Sequence, residues 1–257
     1  MAALLGIVAF LDAELRTSEI KDYPAAMNGL QLANKGEVRH IAAAVDFSTG
    51  VVLEAIDRGA NMLVLHHGMF WTDAVPIVGP RYHRLSLLFE NDIAVYASHL
   101  PLDLHPRFGN NVLLARELEL TPSAGFASSQ GVMIGVSGTS DITTSKLVER
   151  ANTFCERNGR RLVTTPVRSG QTTRHWGICS GAGASTDTLK EAVELGLDTI
   201  IVGEGPHHTA VQAPDLGITI LYAGHYATET LGVKAIAAEV ATRFGIASSF
   251  IEAPTGL

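Results

Sequence analysis

Residues 94–103 read AVYASHLPLD and residues 220–229 read ILYAGHYATE, so Tyr-Ala-x-His-x-x-x-carboxylate occurs twice in one chain. Each copy starts as a short apolar run of the kind that makes a buried strand, then turns polar at its histidine. Upstream of each lies a second match. Residues 54–65 (EAIDRGANMLVL) resemble residues 191–202 (EAVELGLDTIIV): Glu-Ala-aliphatic, a glycine five residues after the glutamate, then a strand. A helix–strand match is cheap in α/β proteins. A histidine and an acid repeated at one spacing is not. The pattern predicts two related, pseudo-symmetric α/β lobes whose equivalent strand ends supply matching ligands to a metal site between them.

The remaining periodicity fits this frame. Apolar, β-branched runs predict strands at 40–45, 62–65, 94–97, 132–136, 162–165, 176–179, 199–202 and 219–222. Helices are expected at 2–16, 49–58, 81–90, 110–118, 143–158, 185–195 and 230–244, with Ser48-Thr49 as a start and Gly59 and Asn158-Gly159 as stops. Residues 121–131 (TPSAGFASSQG) are small and polar and read as a loop, as do 168–173. The chain is read as one domain made of a first lobe (1–123), a connecting unit (124–173) and a second lobe (174–257).

Composition bounds the function. The 257 residues are 46% apolar and 18% charged, enough for a sizeable core and unlike a disordered chain. A net charge of −7, with no basic run longer than Arg160-Arg161, argues against a dedicated nucleic-acid binder. Two cysteines fit a reducing compartment, so a cytoplasmic protein without a disulfide framework is expected. The apolar N-terminus lacks a positive leader and reads as an amphipathic helix; no run of about 20 apolar residues predicts a membrane span.

The chemistry is expected at three places. His66-His67 follows the strand at 62–65, His99 with Asp103 follows that at 94–97, and His225 with Glu229 follows that at 219–222. Alone, a His-His pair is more often a surface or packing feature, and Glu229 would suit the first turn of the last helix by charge. Neither bland reading explains why His225/Glu229 matches His99/Asp103. Mixed imidazole and carboxylate donors suit Zn²⁺, Fe²⁺ or Mn²⁺ better than Ca²⁺ or Mg²⁺. Six candidates exceed a closed tetrahedral site and predict two divalent ions, about 3.5–4 Å apart.

The ordered set Asn28-Gly29-Leu30-Gln31, Val45-Asp46 with Ser48, His66-His67, His99 to Asp103, Gly203-Glu204 and Gly224-His225 through Glu229 resembles the Nif-three-like dinuclear metal-centre proteins, also known as GTP cyclohydrolase I type 2 homologues. The resemblance spans nearly the whole chain. It implies a three-layer α/β fold, a toroidal homohexamer, and His66, His67, Asp103, His225 and Glu229 as metal ligands. His99 would lie beside the ions, as a ligand or one shell out. Glu204 falls opposite His67 in the repeat; it either approaches the metals from the second lobe or, the favoured reading, lines the cavity and hydrogen-bonds ligands or substrate. His207 and His208 are proton-transfer candidates, and Asn28 is expected to face the site. Phe70 and Trp71 would wall the cavity or merely pack, and His105 stays outside the expected set.

The expected activity is hydrolysis by a metal-activated water, with His99, His207 or His208 carrying protons. The resemblance narrows the substrate to a nucleotide, with ring opening as in a GTP cyclohydrolase. The sequence has no glycine-rich phosphate loop, and Arg81, Arg84, Arg107 and Arg116 do not define one by spacing. The alternative is a metal-trafficking or adaptor protein without turnover.

Overall fold

A computed structural model describes residues 1–71, 75–129 and 131–257. The chain opens with β1 (Ala2–Ala3), α1 (Leu4–Leu15), β2 (Gly29–Leu32), β3 (Glu37–Val38) and β4 (His40–Asp46). It continues with α2 (Thr49–Asp57), β5 (Met62–His67), α3 (Gly79–Glu90), β6 (Ala94–Ala97), α4 (Leu100–Asp103) and α5 (Asn110–Glu117). Next come β7 (Ala124–Ser129), β8 (Val132–Thr143), α6 (Thr144–Arg157), β9 (Val163–Thr164) and β10 (Thr172–Cys179). The last stretch alternates α7 (Thr186–Glu194), β11 (Thr199–Val202), α8 (His207–Asp215), β12 (Thr219–Tyr222), α9 (His225–Phe244) and β13 (Ala247–Phe250).

Two compact units result. One comprises residues 1–102 with 232–253, the other 103–231 with 254–257. The first holds a five-stranded sheet ordered β13-β4-β5-β6-β2. Its first four strands are parallel, and β2 runs antiparallel to β6. The centre of β4 and nearly all of β5 are buried, as expected of parallel strands covered on both faces. On one face Ala42, Leu63, Leu65 and Val95 pack with Val51, Val52 and Ala55 of α2 and Leu88 of α3.

The second unit holds a six-stranded sheet ordered β7-β8-β10-β11-β12-β9. Strands β10, β11 and β12 are parallel, and their alternation fills two cores. Trp176, Ile178, Ile201 and Leu221 pack with Leu114 of α5 and Leu147 and Phe154 of α6. Cys179, Ile200, Val202 and Ile220 face the other way, onto Leu189 and Ala192 of α7 and Ala213 of α8. This unit is thus a three-layer α/β arrangement in its own right.

The repeat is physical, not only textual. Helices α2 and α7 are each nine residues long, and each is capped by a serine: Ser48 accepts from Val51 N at 3.2 Å, Ser185 from Thr188 N at 3.0 Å. Such caps contribute about 1 kcal/mol each. Both helices stop at a left-handed glycine, Gly59 (φ 68°) and Gly196 (φ 66°). Beyond the paired strands, Phe47 N donates to His67 O and Ala184 N to Glu204 O, at 3.0 and 3.1 Å. His67 and Glu204 are therefore equivalent positions of the two repeats.

Several expected elements differ. Residues 121–131 were expected as a loop but contain β7, whose Phe126 is fully buried while most of its other side chains are small or solvent-facing. An edge strand of this kind has no apolar alternation to announce it. Helix α9 begins at His225, five residues before the expected start at 230, with Tyr226 and Ala227 buried in its first turn. Although Pro101 lies between His99 and Asp103, Leu100–Asp103 is a helical turn. Proline near the start of a helix lacks only an amide that has no intrahelical acceptor.

Candidate metal centre

Strand β5 ends in His66 and His67, so both imidazoles lie at the C-terminal edge of the first parallel sheet. His66 is buried, and its Nδ1 lies 3.0 Å from Ser98 O. Asp46 ends the adjacent strand β4 directly in register with His67, and its Oδ1 lies 2.8 Å from His67 Nδ1. His99, just past β6, places Nδ1 2.9 Å from Asp22 Oδ1, while its backbone N–H donates to Asn28 Oδ1 at 2.7 Å. Asn28 Nδ2 in turn donates to Asp22 Oδ2 at 2.9 Å. The ring centroids are 4.7 Å (66–67), 4.9 Å (66–99) and 5.6 Å (67–99) apart, and one donor nitrogen from each ring lies within 4.8 Å of the others.

The three rings share one electronic arrangement. An oxygen acceptor at each Nδ1 puts the proton there and leaves the lone pair on Nε2, which is how metal-binding histidines are held. His105 shows the opposite arrangement: its Nδ1 accepts from the amides of Arg107 and Phe108 at 3.1 and 3.0 Å, capping a turn. Burial would raise the Asp22 carboxyl, but its hydrogen bond to and electrostatic attraction toward the His99 ring, and donors from Asn28 and Tyr23, outweigh it. Its pKa falls below the usual value, so Asp22 stays ionised opposite His99. Gly68 matters next to the histidine pair, because a Cβ there would collide with the Gln31 amide and Ala97. That amide pins the turn by accepting from Met69 N at 2.6 Å.

The second unit holds a cluster of its own, an imidazole with carboxylates. His225 and Glu229 are one turn apart on α9, with Nε2 and Oε2 3.2 Å apart. His225 Nδ1 lies 2.8 Å from Glu204 Oε1, repeating the imidazole–carboxylate pairing of His67 and His99. Glu229 is only 2% exposed, and Gly181 (φ 60°) packs so closely that a Cβ there would overlap its carboxylate. Gly181 N–H donates to Thr228 Oγ1 at 3.0 Å, fixing that approach. Asp103 Oδ1 accepts from Asn110 Nδ2 at 2.8 Å and from Ser180 Oγ at 3.3 Å. The Cys179 thiol is pushed far up by burial and then by the negative charge of Asp103 and Glu229, which keeps it neutral. Burial pulls His225 down, but Glu229 and Glu204 outweigh it and raise its pKa to about 9.

The other expected site residues are placed as follows. His207 and His208 open α8 and are exposed. His207 lines a cleft of about 260 Å³ with Glu204, Tyr222 and Arg160, whereas His208 Nε2 sits 3.1 Å from Thr186 Oγ1. Trp71 stands edge-on to His99 at 4.7 Å and 5.2 Å from His67, so it walls the histidine cluster. Asp22 was missed entirely by the sequence reading. Asp46 was noticed without a role, although its place at the end of a strand beside β5 is a usable signal.

Comparison with known proteins fits this geometry. The family model described as Duf34/NIF3 (NGG1p interacting factor 3) matches residues 4–255. The chain belongs to the Duf34/NIF3 family. Among relatives of this NIF3 chain, a Deinococcus radiodurans protein named GTP cyclohydrolase 1 type 2 homolog is 38% identical, covering 98% of this chain and 93% of its own. A Pyrococcus horikoshii protein of the same name is 39% identical, with 98% of each covered. Of solved structures, TTHA1606 from Thermus thermophilus is 32% identical with a TM-score of 0.81 over the full length of both chains. The protein ybgI, titled as of unknown function, is 28% identical with a TM-score of 0.88, also over both full lengths. The NIF3 fold of this chain is therefore shared with a protein described as of unknown function, and its sequence with proteins named GTP cyclohydrolase 1 type 2 homolog. Among its described residues, no helix is long and apolar enough to cross a membrane.

Proposed function

We propose that this NIF3-family chain holds two divalent ions and uses them for hydrolysis, with His66, His67, Asp103, His225 and Glu229 as ligands. The observation that carries the reading is the common setting of the imidazoles. Nδ1 of His66, His67, His99 and His225 each meets an oxygen, and three of those four oxygens belong to carboxylates. Ordinary packing histidines do not require four such partners. The donor set of imidazole and carboxylate fits Zn²⁺, Fe²⁺ or Mn²⁺. When bound, two such ions make a water nucleophilic near neutral pH and polarise the substrate oxygen.

The chain's own residues do the rest. Asp22, Asp46 and Glu204 orient the rings and make them better donors. His99, backed by an ionised Asp22, can take a proton on Nε2 and return it to a leaving group. His207 shares its cleft with Glu204 and is the second proton carrier we propose, with His208 behind it. The name of the relatives, GTP cyclohydrolase 1 type 2 homolog, supports a nucleotide substrate, and the family resemblance supports opening of its purine ring. The resemblance to Nif-three-like proteins also underlies our reading of a cytoplasmic homohexamer.

Elemental analysis of protein purified without added metal is expected to find about two ions per chain. A metal-free chain that also resists reconstitution overturns the proposal. Metal that exchanges rapidly while a screen of nucleotides, cyclic amides and phosphoesters shows no turnover favours the trafficking role instead.

A further inference from the structure

We propose that the cavity beside Trp71 in the first unit binds a small planar aromatic molecule carrying an anionic group, which defines the substrate class of the site proposed above. The cavity measures about 380 Å³, within the range of small-molecule sites, and Phe47, Met69, Phe70, Trp71, Arg81 and Arg84 are among the residues that line it. Its walls are therefore flat and apolar, with two fixed cations set into them.

The cations are held in an unusual way. The Arg84 guanidinium lies 5.4 Å over the Phe47 ring, and the Arg81 guanidinium 5.9 Å over Phe70. Contact through the ring face positions a guanidinium without using its N–H donors, which lie in its plane. Arg84 Nε is buried and has no hydrogen-bond partner among the described residues. A charged donor left unsatisfied is costly, and an anion arriving in the cavity removes that cost. Arg81 and Arg84 are three residues apart on α3, so both address one side of the cavity.

The aromatic walls choose what carries the anion. Phe47, Phe70 and Trp71 favour a flat ring, which can stack or meet them edge-on. Trp71 also contacts His67 and His99, so the same indole lines the cavity and touches the imidazoles. A ligand whose anion reaches α3 would thus keep its ring next to the proposed metal centre.

Calorimetric titration of metal-loaded protein tests this with naphthoate and naphthyl phosphate as probes. Cyclohexanecarboxylate supplies an anion on a ring that is not flat, and inorganic phosphate an anion without a ring. Both naphthyl probes are expected to bind about tenfold or more tightly than either control. The Arg81→Gln/Arg84→Gln double variant is expected to lose about tenfold or more of that affinity with an unchanged melting temperature and metal content. The preferred naphthyl probe then assigns the anion as carboxylate or phosphoryl. Equal binding of probes and controls, or a double variant that binds like wild type, overturns the proposal. Metal content is read on every sample: full metal with no probe binding refutes the cavity alone, and probe binding to protein that cannot take up metal refutes the metal reading alone.

Discussion

Glu204 Oε1 stands 2.8 Å from His225 Nδ1, and it occupies in the second repeat the position that His67 occupies in the first. One repeat spends this position on an imidazole and the other on the carboxylate that holds an imidazole. A pseudo-symmetric pair of strand ends has thus become an asymmetric set of donors. The repeat explains why the residues are there, and the divergence decides what each does.

The same contact sets a pH dependence. In the metal-free protein, Glu229 and Glu204 raise His225 from 6.5 to about 9 against the effect of burial. The folded chain then binds more protons than the unfolded chain between those values. This contribution to stability is complete below pH 6.5 and is lost as pH rises to about 9. Thermal melts of metal-free protein are expected to show a falling Tm across that window. Glu204→Gln removes one of the two raising charges and is expected to flatten the decline. A wild-type Tm that rises between pH 6.5 and 9 contradicts the assignment.

Gly181 tests the packing of Glu229. Alanine at φ 60° costs about 1–2 kcal/mol of backbone strain, and its methyl would overlap the Glu229 carboxylate. Gly181→Ala is expected to lower Tm by several degrees and to reduce metal content, because Glu229 must move. Gly36→Ala is the control: it shares a positive φ, but nothing lies within 4 Å of its added Cβ. It is expected to lose stability while keeping its metal in elemental analysis.

Much of this site could be read from the sequence because its histidines and acids sit at strand ends, where hydrophobic runs stop abruptly. Met62–Leu65 and Thr219–Tyr222 are such runs; the second strand lies where the periodicity put it, and the first runs on through His66 and His67. Asp22 could not be read that way. It lies in an irregular stretch between α1 and β2, 77 residues from the ring it holds, with no period to mark it. Strand β13 and helix α8 were missed for related reasons. Ser248-Ser249 supplies no apolar signal, and Pro214 near the end of α8 mimics a break.

Asp22→Asn isolates the charge behind His99. Asparagine keeps the shape and an acceptor for the imidazole but cannot stay ionised. Loss of an outer carboxylate of this kind typically costs about 10–100-fold in metal affinity or activity. A chelator competition assay and steady-state turnover are expected to show a loss in that range for Asp22→Asn. His105→Ala is expected to leave both unchanged, because His105 Nδ1 is spent on a turn. Equal effects of the two substitutions would reject the role assigned to Asp22.

His99 itself separates two roles that its position permits. It lies within the cluster of His66 and His67, yet its partner carboxylate would serve a proton carrier equally well. If His99 carries protons, His99→Ala retains its metal and loses about 10²–10⁴-fold in turnover. If His99 is a ligand, metal content falls together with turnover. We expect the first pattern, since five other donors are already assigned to two ions. His208→Ala, whose ring meets Thr186 at the start of α7, is expected to stay near wild type in both measurements. A His208→Ala variant as damaged as His99→Ala would assign the proton carrier to His208 rather than to His99.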